Sequence, residues 1–283
     1  MSRRQFFLLY YYSHLPLIIM AMVLSGTINA TLYQRLNFHV ILLVGLATFL
    51  TYSIDNLIDW HKDASHYASI TQIIRIYHKL TLILMPLASL GILYLICQSS
   101  NELQIGILFL GAAAVMGTTR LPINHENSDN TKESVSRFIL NRFFISTIWT
   151  TVCVFLPIWY ISGMITPRIL TIFLYLFCLV FIYAVLWKFE KSSYSLKRKL
   201  LSSPLFKTLS GLAGTAMLLV IFDIVTGLAS IFNLVNILPP LISLIYIRRI
   251  AQKPVFLRRA ISQFTVILAL LCTLSTVIMI FAV

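Results

Sequence analysis

Read only for its hydrophobic and polar positions, the 283-residue chain is a series of apolar runs near 20 residues long, separated by short polar and basic connections. About 20 apolar residues is what an α-helix needs to cross a hydrocarbon core of about 30 Å. Nine runs fit, at approximately 11–30, 38–58, 79–97, 103–121, 140–160, 168–187, 208–226, 231–247 and 261–282. Backbone groups in lipid need partners within their own segment, and no ten-residue alternation suggests a barrel, so the runs predict helices. The seventh and eighth are joined by little more than "TGLASIFN". The stretch "RLPINHENSDNTKESVSR", 120–137, reads as a loop from Pro122 and its Asn and Ser residues. The stretch "KFEKSSYSLKRKLLSSPLFK", 188–207, is basic and amphipathic, suited to a short helix lying along a membrane surface. The expected fold is all-α: one polytopic domain over residues 1–283 with nine transmembrane helices.

Composition agrees. Hydrophobic residues make up 59% of the chain and charged residues 11%, against about 25% charged in a soluble domain. The basic start "MSRRQFFLLYYYSHLPLIIMAMVLSG" lacks a small-residue cleavage site after a short apolar core, so no cleavable signal is expected. A net charge of +13 would point a soluble protein toward nucleic acid. Here the basic residues sit between apolar runs, so the charge is topological and no nucleic acid is expected. With a cytoplasmic N-terminus and nine spans, all of the 22 lysines and arginines except Arg35 and Arg168 fall on the cytoplasmic side. That predicts a multi-pass protein of the plasma (inner) membrane, its basic loops drawn to anionic lipid headgroups. An eight-span chain would strand one basic block on the wrong side. The four cysteines, Cys97, Cys153, Cys178 and Cys272, stand singly, with no metal-ligand spacing, and read as small buried hydrophobes.

Acidic residues number nine, and three of them fall in "DNLIDWHKD" at the end of the second run. Asp55, Asp59 and Asp63 are spaced by four, which on a helix keeps them on one face with a drift of about 40° per step. Asn56 borders that face. A carboxylate near hydrocarbon costs about 2.5–3.5 kcal/mol on insertion scales unless it faces a cavity or a partner. Three like charges on one face also call for a cation among them. Lys62, Arg142 or a basic residue of another loop can serve. So can a divalent ion, since Mg²⁺ is commonly held by one or two carboxylates together with substrate phosphates. A plain solvated helix end and an ion-pathway row are the other readings of the spacing.

The stretch "DNLIDWHKD" resembles the first aspartate-rich motif, NDxxDxxxD, of the UbiA-type superfamily of intramembrane prenyltransferases. Asn56, Asp59 and Asp63 match its second, third and fourth polar positions, and Asp55 stands where the family usually has Asn. The stretch "SRFILNRFFISTIWTTVCVFLP", 136–157, is similar in kind to the family's fifth helix through Arg142 and Trp149. The resemblance implies nine helices with a cytoplasmic N-terminus. It also implies a Mg²⁺ cofactor bound through two acidic motifs, and transfer of a prenyl group from a prenyl diphosphate to a lipophilic acceptor. Carried over residue by residue, it makes Asp59 and Asp63 the metal ligands, with Asn56 and Asp55 supporting. Arg142, Lys188, Lys191 and Arg120 are then candidates for the diphosphate. The family's second motif, a DxxxD-like cluster after the sixth helix, is replaced by "LWKFEKSSYSLKRK", where Glu190 is the one acid. Two readings follow. Lys188 and Lys191 meet the diphosphate as point charges in place of a second metal, or catalysis is lost and the chain is a lipid-binding or assembly protein of the same fold.

Other positions are weighed on their own. Asp223 lies near the outer end of the seventh run, and an acid within a span is a functional candidate by default. An ion-coupled transporter using Asp55, Asp59 and Asp223 is a third reading. It predicts a broken helix, for which Pro239 and Pro240 in "LVNILPPLISL" are the suggestive site. His14, in the first run, reads as a packing residue. His61 and His66 are not at i+3 or i+4 from one another, which argues against a transition-metal site. The cluster "FFLLYYY", 6–12, reads as an interfacial aromatic belt.

Overall fold

A computed structural model describes residues 13–33, 36–66, 71–99, 135–161, 166–191, 194–229 and 231–252, with isolated positions at 101, 104, 105, 107, 267 and 277. The predicted spans at 103–121 and 261–282 lie outside the described residues except at those isolated positions. Arg120, residues 120–134 of the predicted loop and the aromatic cluster at 6–12 lie wholly outside them.

Among the described residues the chain is helical, with no strand. In order come α1 (Leu15–Tyr33), α2 (Phe38–His66), α3 (Thr71–Cys97), α4 (Val135–Ile161), α5 (Pro167–Lys191), α6 (Tyr194–Ser202) and α7 (Leu205–Val225). A 3-10 helix (Ile231–Ile237) then leads into α8 (Leu238–Gln252). Four stretches are long and apolar enough to cross a membrane: Ile74–Cys97, Phe138–Trp159, Pro167–Leu186 and Leu205–Val225. Leu15–Ala30 and Phe38–Ile54 are shorter apolar helices. The chain is an all-helical integral membrane protein.

Its spans carry many hydroxyls, and local bonding disposes of them. Thr27 donates to the Val23 carbonyl at 2.9 Å, Thr48 to Val44 at 2.7 Å, Ser146 to Arg142 at 2.7 Å and Thr226 to Phe222 at 2.7 Å. Each is an i to i−4 bond that satisfies the hydroxyl within its own helix.

Several boundaries differ from the sequence expectation, α3 beginning at Thr71 and α4 at Val135 among them, and three of the differences have an identifiable reason. α1 begins at Leu15, leaving His14 just outside it with φ +53°. The His14 carbonyl accepts from the amides of Leu17 and Ile18 and so opens the helix, while Pro16, which has no amide to offer, fits in the first turn. α2 runs to His66, eight residues past the apolar run, because nothing from 58 to 66 breaks a helix. The eighth run is not one helix. Its first seven residues wind as 3-10, and the α-helix starts only at Leu238, with Pro239 and Pro240 in its first turn.

The described helices pack as an arc. α2 lies between α1 and α3, α1 against α4, α4 against α5, α5 against α7, and α7 against α8. α5 is the most deeply set, with Leu176, Ile182, Val185, Leu186 and Phe189 fully enclosed. By contrast α3 bares Ile83, Leu87, Leu90, Leu93 and Tyr94. A contiguous apolar face of that extent is unsuited to water and suited to lipid. The sequence expectation for 188–207 holds in part: α6 is a helix with Leu200 buried and Arg198 and Lys199 exposed.

The pairs α2–α3 and α5–α7 run antiparallel. The start of α2 meets the end of α3, where His39 Nε2 lies 2.8 Å from the Leu95 carbonyl. The start of α5 meets the end of α7, where Thr171 donates to Asp223 at 2.9 Å. His14, ahead of α1, stacks on Tyr52 of α2 with ring centroids 4.8 Å apart. Thr27 and Ile28, about 20 Å further along α1, line a cavity with Thr171 and Asp223. The bundle therefore has a Tyr52 end and an Asp223 end.

Candidate functional site

At the Tyr52 end, α2 continues without interruption through Asp55, Asn56, Asp59 and Asp63. The helical register confirmed by the backbone puts the three aspartates on one face, as their spacing predicts. Carboxylates at i and i+4 have Cβ atoms about 5–6 Å apart. Asp59 and Asp63 stand at that spacing on the backbone. The side chains of these four residues lie outside the described ones, so the row is placed by its backbone.

The basic candidates reach this end by topology. α5 starts beside Asp223 and climbs about 25 Å from Thr171 to its last turns, which hold Lys188, Glu190 and Lys191. Its C-terminal end and that of α2 therefore stand at the same end of the bundle, separated by α1 and α4. Arg142 is half-buried near the start of α4. The structure does not assemble the rest: Arg120 and the side chains of Lys188 and Lys191 lie outside the described residues.

Between these elements sits an aromatic seam that local sequence reading did not find. Tyr52 stacks on His14 on one side and meets Trp149 of α4 edge-on, centroids 6.2 Å apart. Trp149 in turn lines a small apolar gap of about 10 Å³ with Met20, Leu24, Leu179, Val180 and Tyr183. His14 is buried and packed, as its lone position predicted. The seam joins α2, α4 and the residue ahead of α1, and of its members Tyr52 carried no signal beforehand.

The Asp223 end holds a second polar cluster. Asp223, in the last turn of α7, is 8% exposed. Its Oδ2 accepts from Thr171, while its buried Oδ1 has no hydrogen-bond partner among the described residues. Tyr175 donates to the Asn236 carbonyl at 2.9 Å, and the Asn236 amide donates to Asn233 Oδ1 at 3.3 Å. Among the described residues no three of His, Cys, Asp and Glu gather as a metal-binding group.

No protein-family model, no curated protein and no solved structure matches the chain. Function must therefore be argued from the two polar ends themselves.

Proposed function

We propose that the chain is a UbiA-like intramembrane prenyltransferase with nine spans and a cytoplasmic N-terminus, moving a polyprenyl group from its diphosphate to a lipophilic acceptor in a Mg²⁺-dependent reaction. One observation carries the reading: the aspartate row rides on an unbroken extension of α2, at the end of the bundle where α5 delivers its lysines. Cleavage of the allylic C–O bond leaves pyrophosphate, and bound Mg²⁺ supplies the charge neutralisation that this leaving group needs. Asp59 and Asp63 hold the ion, and Asn56 and Asp55 support them. Arg142, Lys188 and Lys191, with Arg120, draw the diphosphate to the same end by charge. With Glu190 alone after α5, these cations take over what a second acidic motif would otherwise do through a second metal. The tail lies among α1, α4 and α5, where burial gives about 0.8 kcal/mol per CH₂. The apolar gap at Trp149 admits one water-sized sphere (about 10 Å³), so a tail entering there must part those helices.

The test is incubation of the purified protein with labelled prenyl diphosphate, Mg²⁺ and a membrane extract. Prenylated product that falls at least a hundredfold in Asp59→Asn and Asp63→Asn supports the enzyme. Binding without turnover that is indifferent to metal identifies an inactive lipid-binding or assembly protein instead. Uptake driven by an ion gradient identifies a transporter.

A further inference from the structure

The feature that this reading leaves unused is at the other end of the molecule. Asp223 sits in the last turn of α7, where the backbone carbonyls already concentrate about half a negative charge. A carboxylate there opposes its own helix dipole and is also nine-tenths buried. Arg168, one turn ahead of Thr171 on α5, acts on it through space. Yet the buried Arg168 Nε and Asp223 Oδ1 are both without hydrogen bonds among the described residues.

The cavity beside Asp223 measures about 30 Å³ and is lined also by Thr27, Thr171, Tyr175, Asn233 and Asn236. Its hydroxyl protons are committed. Thr27 donates to Val23, Tyr175 to the Asn236 carbonyl, and Thr171 shares its proton between the Arg168 carbonyl at 2.8 Å and Asp223 Oδ2 at 2.9 Å. The Asn236 amide donates to Asn233. Asp223, whose Oδ1 is buried and without a hydrogen bond among the described residues, lines the same hollow. Lone pairs around one carboxylate, at the negative end of a helix, fit a cation.

Size and charge narrow the choice. A water needs about 10–15 Å³ by this measure, so the cavity has room for an ion and one water. One carboxylate, partly offset by Arg168, leaves too little negative charge for a divalent ion, which would want more carboxylate or phosphate oxygen. We propose that the Asp223 cavity is a binding site for a bare monovalent alkali cation of about sodium's size. Asp223 Oδ1 is its anchor, and Thr171 Oγ and the carbonyl oxygens of Asn233 and Asn236 complete its shell. The 3-10 helix gives the site its shape, since it brings Asn233 and Asn236 to one side three residues apart.

The experiment is thermal unfolding of the full chain in detergent micelles, with EDTA present. Sodium, potassium or lithium chloride is titrated against N-methylglucamine chloride at constant ionic strength. The expected result is a saturable rise of several degrees in the unfolding midpoint with one alkali ion, as follows when a ligand binds only the folded state. Asp223→Asn abolishes that rise, and Thr171→Val moves its half-saturation about tenfold higher. The same rise in Asp59→Asn separates this site from the aspartate row, so either proposal can fail without the other. Equal midpoints for the unaltered protein in every salt overturn the inference, even if Asp223→Asn fails to fold. So does a sodium response that survives in Asp223→Asn.

Discussion

A single histidine ring holds the head of α2 to the foot of α3. His39 Nε2 lies 2.8 Å from the Leu95 carbonyl and 3.4 Å from the Ser99 hydroxyl. Cutting that link in His39→Ala should lower stability by about 1 kcal/mol, the usual net worth of one such bond, and His39→Gln should recover part of it; chemical unfolding in detergent measures both. The opposite expectation holds for the hydroxyls bonded back along their own helices. Thr51 and Thr215 are exposed and donate to Ala47 and Gly211, so Thr51→Ala and Thr215→Ala should stay within about 0.5 kcal/mol of the parent in the same measurement. What could be read beforehand at this scale was whatever is local. The aspartate row declares itself through a spacing of four within one helix. His39 and Thr171 declare nothing, because their partners are 56 and 52 residues away. Asp223 stood out as an acid in an apolar run, but the asparagines of its cavity reach it only through a turn.

Between elements, α1 and α2 approach closely at Gly45. A methyl group there would come within 2.7 Å of Met22 Sδ and 2.8 Å of its Cγ. Gly45→Ala should therefore force Met22 aside at about 1–2 kcal/mol, and Gly45→Leu should cost more. Met22→Ala should relieve the alanine variant, so that the two changes are far from additive in a double-mutant cycle. The end of α7 depends on a second glycine, Gly227, at φ +73°. Gly227→Val should lower the unfolding midpoint and shake the Asp223 cavity with it, because the Ala229 amide closes that turn on the Asp223 carbonyl. Element type was legible throughout, since apolar runs of this length in lipid have to be helices. The ends were not. The run 231–247 is apolar but for Asn233, Asn236 and Ser243, and nothing in its hydropathy marks the change from 3-10 to α at Leu238. Two prolines hinted at that break, and the structure puts it just before them.

Taken whole, the molecule presents an enclosed wall around α5 and a bare one on α3. Two of its thiols are buried, Cys153 and Cys178, while Cys97 is exposed at the end of α3. With Cys272→Ser as background, a membrane-impermeant maleimide should label Cys97 from the face opposite the N-terminus and leave the other two unlabelled until denaturant is added. Labelling that requires access from the cytoplasm would invert the proposed orientation. The length of α2 has one last consequence. As a span of the proposed bundle, its 29 residues make a rod of about 43 Å against a hydrocarbon slab of about 30 Å, so close to a third of it would overhang the oil, and that overhang carries Asp59 and Asp63. Under the proposed function, a diphosphate held there would keep its hydration while its hydrocarbon tail dissolved in the slab beneath. Excising four residues from the overhang would lower the grip by about one turn, toward the depth at which water is scarce.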